Sequence, residues 1–379
     1  MNQRRVRGVH QPSYHRAMSF STDDVVVLLS PGRFAPYLRH SGDDPDDALL
    51  LYEWSASMSM AMFELFSHLE VMIRNSIDRT LAQHFKDEAV GIPWFLRKPP
   101  ASAAMAGLIE TERSRLRPNG KDTRHQIVAA MSFGFWTQMT GNKYDDLWRT
   151  ALFKAFPGSS GRRADVSREL EALRKLRNRI AHHDSMLNVD VPFEVRRMHR
   201  VASFLGTAAV EWIESVDRTD AVYRARPHSV IDTLVVPAND AWPLYQMVQA
   251  YVCQPNRAFQ ETERLAFYAD RAIQPEVPKI RHRRDNVTWT DHEAARLAQS
   301  NDKNDRKIAS VIQTSRAQGW KQSGEYQVFL LSGPGAQDHR TLPAAIPNRS
   351  KGLGSAFVRK QRYVSLHRLQ TATSTDDVI

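Results

Sequence analysis

From Ala48 to Phe85 the chain runs without a proline or a glycine. Apolar residues recur there at three- and four-residue steps: Leu51, Met58, Met62, Leu65, Leu69, Met72, Ile73, Ile77 and Leu81. That period puts them on one face of an α-helix, whereas a half-buried strand would alternate. The run exceeds an ordinary globular helix, so it predicts either one long helix or two with a break near Ser55–Ser59. Its methionines read as core filler. Ahead of it, Ser41-Gly42-Asp43-Asp44-Pro45-Asp46-Asp47 supplies a turn and an acidic helix start.

Pro93, Pro99 and Pro100 close that unit, and shorter helical runs are expected at 101–117, 125–138 and 143–155. Within them, Ser132-Phe133-Gly134-Phe135-Trp136 reads as a helix-packing wedge, with base stacking as the competing role. Pro157-Gly158-Ser159-Ser160-Gly161 is a loop. A helix follows from Ser167 to His183 with Val166, Leu170, Leu173 and Ile180 on one stripe. Another runs from about Phe193 to Ser215, where Val201, Phe204, Leu205, Ala208 and Trp212 are spaced to pack.

The character changes after Arg224-Ala225-Arg226-Pro227. Prolines recur at 227, 237, 243, 255, 275 and 278. β-type runs appear at 265–268, 326–331 and 356–358, with helical pieces at about 241–252 and 291–318. The expected organisation is therefore mainly α: a flexible basic arm at 1–22, a helical domain at 23–227, and a smaller α+β domain at 228–379.

Lys and Arg total 52 against 42 Asp and Glu, a net charge of +10. That surplus favours polyanionic partners, nucleic acid above all. The single cysteine, Cys253, excludes a disulfide framework and a thiolate zinc site within one chain, and suits a reducing cytoplasm. No metal or cofactor is expected. No segment approaches the roughly 20 apolar residues that span a bilayer. The basic start (Arg4, Arg5, Arg7) lacks the apolar region of a secretory signal.

The chemistry-bearing stretch is Leu173-Arg174-Lys175-Leu176-Arg177-Asn178-Arg179-Ile180-Ala181-His182-His183-Asp184. Arg177 lies nearly in line with Leu170, Leu173 and Ile180, toward the buried side, where an arginine is unusual. Asn178 and His182 share a helix face. An arginine fork can hold a phosphate through two hydrogen bonds. An imidazole can take a proton from a 2′-hydroxyl or give one to the leaving oxygen. One histidine does one of these jobs at a time, and two copies across a dimer axis would supply both. A solvated basic helix end that complements the helix dipole uses the same residue types.

Leu173 to His183, with Leu187 and Asn188 beyond, resembles the "LRN-xx-AHH" signature of the Abi-like (abortive infection) family, part of the HEPN superfamily. Three further blocks agree in order. Ala48–Trp54 resembles "A-x-x-LY-x-W", Leu69–Asn75 resembles "LEV-x-x-RN", and Ser132–Trp136 resembles "SFGFW". Together they cover about residues 30–227. The resemblance implies an all-helical HEPN-like bundle, usually dimeric. It also implies a metal-independent endoribonuclease that leaves a 2′,3′-cyclic phosphate and acts as a toxin in phage defence, with an antitoxin or a phage-derived trigger among its partners.

Position by position, Arg177 and His182 match the family's Arg-x4-His pair, and Asn178 its polar second position. Glu70, Arg74 and Asn75 match the first-helix block as supporting residues. His183 is a rival to His182. Lys175 and Arg179 read as phosphate-holding charges, and Asp184 as a histidine-orienting or turn-forming residue. Spacing alone offers Glu70, Arg74 and Asp78 as an ordinary surface ladder of i, i+4 pairs.

The region 228–379 lies outside the resemblance. Its basic clusters are Lys279–Arg284 and Arg359–Tyr363. Arg281, Arg283, Arg284, Arg359 and Lys360, beside His282, Trp289 and Tyr363, suit either a nucleic-acid groove or the charges that block a sheet edge. Its glycine turns (Gly333-Pro334-Gly335 and Gly352-x-Gly354) lack Walker-loop context. The expected role of this domain is to sense a trigger or present RNA. Two other readings stand beside the nuclease: a non-catalytic RNA-binding or adaptor module, and a helical regulator of an activity housed in 228–379.

Overall fold

A computed structural model describes residues 21–97, 103–319, 323–350 and 356–378. Three helices open it: α1 (Thr22–Leu29), α2 (Pro31–Ser41) and α3 (Pro45–His84). Ser21 caps α1 through a reciprocal box with Asp24, so 21 and 22 belong to a helix and not to a basic arm. The rest of that expected arm, like Pro99, Pro100 and Gly352-x-Gly354, lies outside the described residues.

The helix α3 is the mainstay. It has 40 residues, or about 60 Å at 1.5 Å per residue, and no break near Ser55–Ser59. Those serines are satisfied in place. The Ser55 hydroxyl accepts from the Tyr37 hydroxyl at 3.2 Å and from the Met186 N–H at 2.9 Å, while Ser59 donates back to the Ser55 carbonyl. Asp44 caps the start, with Pro45 at the first helical position. Asp78 leaves the expected surface ladder. It is buried, and it accepts from Trp94 Nε1 at 2.9 Å and from both Arg124 nitrogens at 2.8 Å.

Shorter helices pack around α3: α4 (Asp87–Val90), α5 (Ala103–Leu116), α6 (Arg124–Ala130), α7 (Phe133–Gln138), α8 (Asp145–Thr150), α9 (Arg163–Ala181), α10 (Val191–Leu205), α11 (Thr207–Val216) and α12 (Thr219–Arg224). Several differ from expectation. The run 125–138 is split at Met131-Ser132, where the Ser132 hydroxyl caps Phe135. The run 143–155 is α8 flanked by 3-10 turns. The helix expected at 167–183 is α9, which starts earlier and ends at Ala181. The run 193–215 breaks at Gly206, whose φ of +120° is glycine territory. Gly158 is fixed by space instead, since a Cβ there would stand 2.1 Å from the Ser203 carbonyl oxygen. One apolar cluster, from Phe34 to Ile213, fills this bundle.

The remainder is a smaller unit with sheets. In order it has β1 (Thr233–Pro237), α13 (Ala241–Val248), β2 (Ala250–Cys253), β3 (Arg264–Ala269), β4 (Ala272–Ile273), β5 (Glu276–Val277) and β6 (Ile280–Thr288). Then come α14 (Asp291–Ala298), α15 (Lys303–Ala317), β7 (Glu325–Leu331), β8 (Arg340–Thr341), β9 (Ile346–Pro347), β10 (Arg362–Val364) and α16 (Leu366–Thr371). One sheet runs β10-β1-β3-β4-β9 with β1 and β3 parallel, and a second runs β2-β7-β6, antiparallel. The helical piece expected at 241–252 stops at Val248, and Gln249 (φ +50°) turns the chain into β2. The piece expected at 291–318 is two helices, with Asp302 capping the second. Residues 356–358 are not a strand. Phe357 and Val358 are instead buried in the apolar cluster that also holds Leu369 and Val378. Three apolar clusters fill this unit, and none reaches into the bundle.

The two units meet through polar groups. Asp190 caps α10 by accepting from the Phe193 N–H, then accepts from the Phe259 N–H at 2.7 Å and from Arg283 at 2.8 Å. Arg283 also grips Asp285, which takes Arg196 of α10. The Asp190 and Asp285 side chains are 1% and 2% exposed. Burial lifts the Asp190 carboxyl above the usual range, against the opposing pull of Arg283 and the Phe259 N–H.

His40 forms a second seam, with Nδ1 at 2.9 Å from Ser229 Oγ and its carbonyl accepting from the Val230 N–H. Burial, with the charges of Arg226 and Arg39, pushes its imidazole down to about 4. The unfolded chain regains an ordinary histidine near 6.5 and binds the extra proton between those values. Stability is therefore full above about pH 6.5 and falls as pH drops toward 4, by about 3 kcal/mol. Urea unfolding at pH 7 and pH 4.5 checks this. His40→Gln should lose less stability on acidification than the native chain, and an equal loss would reject the assignment. Among the described residues no helix is long and apolar enough to cross a membrane.

Candidate active site

The site is built where α9 ends against α3. Val166, Leu170, Leu173, Leu176 and Ile180 form the buried stripe of α9. Its C-terminus closes with the Asp184 N–H donating to the Arg179 carbonyl and the His183 N–H to the Ile180 carbonyl. That pair of bonds is a Schellman turn, with His182 as the cap and His183 in the left-handed position at φ +55°. Asp184 thereby takes the turn-forming role.

A β-carbon at that position costs about 1 kcal/mol, which glycine avoids. His183→Gly is expected to raise thermal stability by about 0.5–1 kcal/mol. A melting temperature that falls would show the histidine ring holding the turn by contacts of its own.

Arg177 is half-buried and faces α3. Glu70 feels its charge first and that of Arg74 second, and both oppose the burial that lifts the Glu70 carboxyl above its ordinary range. The Arg177 Nε is buried without a hydrogen-bond partner among the described residues. Arg74 reaches the Ala129 carbonyl at 3.3 Å and the Asn75 side chain at 3.4 Å. The helix α7 packs against both α3 and α9. Phe133 meets Phe66 edge-on at 5.0 Å, and Gly134 lies beside the Arg174 stem. Trp136 is fully buried, so the aromatic block is a packing wedge. Three sequence blocks, 69–75, 132–136 and 173–183, thus come together where α3, α7 and α9 pack on one another.

His182 is exposed, and no hydrogen bond engages its ring among the described residues. It sits five residues past Arg177, about 140° around the helix and 7.5 Å along it, so the two groups leave α9 in different directions. Asn178 is half-buried, and its carbonyl accepts the His182 N–H at 2.9 Å. Lys175 is exposed. Arg179 is half-buried with an unpartnered Nε, and Arg174 is committed to Glu171. The sequence reading missed Arg33. From α2 its guanidinium donates to the carbonyls of His182 and His183, placing a cation on the negative end of α9.

The cations of β6, which the sequence offers as either a nucleic-acid groove or edge-blocking charges, are each paired with a carboxylate. Arg281 makes two bonds to Asp338, at 3.0 and 2.6 Å, Arg283 is locked between Asp190 and Asp285, and Arg284 pairs with Asp305. Trp289 is fully buried, and the Tyr363 hydroxyl is taken by the Gln260 N–H and Gln361. β6 is the edge strand of its sheet, and its cations are compensated by its own Asp285 and by Asp190, Asp305 and Asp338 from other segments. Arg359 and Lys360, by contrast, line an open cleft.

Among the described residues no group of three or more His, Cys, Asp or Glu could hold a metal ion. No family model, curated protein or solved structure matches the chain.

Proposed function

We propose that the helical unit is an Abi-like, HEPN-type endoribonuclease that cuts RNA without a metal and works as a homodimer. The observation that carries the reading is Arg177. A half-buried guanidinium with an unmet N–H stands beside Glu70, one and a half turns before an exposed histidine at the helix end. Because Arg177 and His182 leave α9 in different directions, they would share one phosphate only across the dimer, where Arg177 holds a non-bridging oxygen and offsets charge as it develops. Glu70 positions Arg177 through its charge. The 2′-hydroxyl oxygen attacks phosphorus as its proton passes to one His182 imidazole. The 5′-oxygen leaves with a proton from the imidazole of the second copy, so the P–O5′ bond breaks and a 2′,3′-cyclic phosphate remains. In a cell this activity would make the chain a growth-arresting toxin of phage defence.

The test uses the full chain and a labelled RNA with EDTA present. Cyclic-phosphate ends that vanish in both Arg177→Ala and His182→Ala, with the dimer retained on size exclusion, support the reading. Cleavage that survives in either variant, or that needs a divalent metal, rejects it. An RNA complex with no product in the native chain would favour the adaptor reading.

A further inference from the structure

The second unit holds a cleft of about 1120 Å³, remote in sequence from the residues of the nuclease reading. Its floor is the carboxyl end of the parallel pair β1 and β3, where Pro237 pairs with Tyr268 and both line the cavity. Open α/β sheets bind their ligands at such strand ends. The amino end of α13 also opens there through Asp240 and Ala241. One wall is the 256–258 segment, and the other is 356–361.

Charge is the decisive feature. Arg257, Arg271, Arg359 and Lys360 line the cleft against a single carboxylate, Asp240. Arg257 is held rigidly, but only by neutral oxygens: the Tyr251 hydroxyl at 2.8 Å, the Lys360 carbonyl at 2.8 Å and Gln361 Oε1 at 3.0 Å. Its guanidinium lies 5.0 Å from the Phe259 ring centroid. Among the described residues no carboxylate comes within ion-pair distance of Arg257 or Lys360. This contrasts with β6, where each of Arg281, Arg283 and Arg284 has its own acid.

Arg271 reaches the cleft from a two-residue hairpin turn in which both residues are left-handed, Asp270 at φ +50° and Arg271 at φ +60°. Asparagine and glycine suit such a turn, so an arginine there is held at some cost in strain.

We propose that this cleft binds a nucleoside phosphate, with the phosphate on the Arg257–Lys360 side. The exposed polar groups of Asp240, Gln254 and Asn256 are placed to meet sugar hydroxyls or base edges. The cavity is of the size that takes a drug-sized ligand or larger, well beyond a lone phosphate. Cys253 also lines it, but burial pushes its thiol up to about 12, so the cleft offers no thiolate nucleophile and is a binding site. The ligand is either a free nucleotide or one unit of a single strand. The site is independent of the Arg177 reading.

The experiment titrates the full chain by calorimetry at low salt with two probes, ATP and a ten-residue oligothymidylate, which has no 2′-hydroxyl to attack its phosphates. It compares the native chain with the double variant Arg359→Glu, Lys360→Glu and with a charge-matched control, Arg79→Glu, Lys121→Glu, on the bundle. Binding of either probe that weakens at least about tenfold in the cleft variant alone supports the proposal. Saturation by ATP points to a free nucleotide, and saturation by the oligonucleotide alone points to a strand. Dissociation constants above about 1 mM for both probes, or equal weakening in cleft variant and control, overturn it. Neither probe is a substrate of the cleavage proposed for the bundle, so failure of the nuclease reading leaves the result legible.

Discussion

Replacing Asp190 by alanine is expected to lower the free energy of unfolding by about 3–5 kcal/mol, as for removing one partner of a buried ion pair. Three losses coincide. The cap of α10 disappears, worth about 1 kcal/mol. The Phe259 N–H, whose acceptor is the buried Asp190 carboxylate, is left unsatisfied at about 1–3 kcal/mol. Arg283, 17% exposed, retains Asp285 but loses its partner across the seam. The pair itself is no net gain, since burial already strains Asp190 toward its protonated form. Replacing Asp190 and Arg283 together by apolar residues should therefore cost less than the sum of the single changes. Urea unfolding of the four proteins measures the coupling. A single-variant loss under about 1 kcal/mol would mean that the junction is held elsewhere.

On the nuclease reading, His182→Ala is expected to reduce RNA cleavage by about 10²–10⁴-fold, the usual worth of a general acid–base group. Its thermal stability should barely move, because the ring is exposed and makes no hydrogen bond among the described residues. His183→Ala serves as the comparison. It keeps the β-carbon, and with it the strain of the left-handed position, so it too should leave stability nearly unchanged, and it should spare most of the cleavage. Single-turnover cleavage rates with melting curves on the same samples separate the two. A reversed pattern would move the acid–base role to His183.

The long helix was legible because its period is unbroken and its cap chemistry sits in front of it. The merged helices failed where apolar spacing outweighed weaker punctuation. Ser132, Gly206 and Asp302 are all capping or breaking residues, and each marks a real boundary. β2 was invisible for another reason. Ala250–Cys253 is wholly buried and continues the apolar run of α13, so periodicity cannot tell strand from helix there.

At the site, the buried-side position of Arg177 followed from its alignment with Leu170, Leu173 and Ile180, and the structure places it there. Glu70, which feels its charge, lies in a block far away in the chain, and no local pattern pairs the two. Arg33 carried no local signal. The sequence left the cations of β6 open between a binding surface and edge charges because most of their carboxylates, Asp190, Asp305 and Asp338, lie far away in the chain, and only Asp285 is local.

The bundle and the sheet unit each enclose their own oil, and what passes between them is mostly charge and hydrogen bonding. A join of that composition is modular. The trailing half could be exchanged for another by rewriting a handful of ionic residues, with the leading half left unaltered.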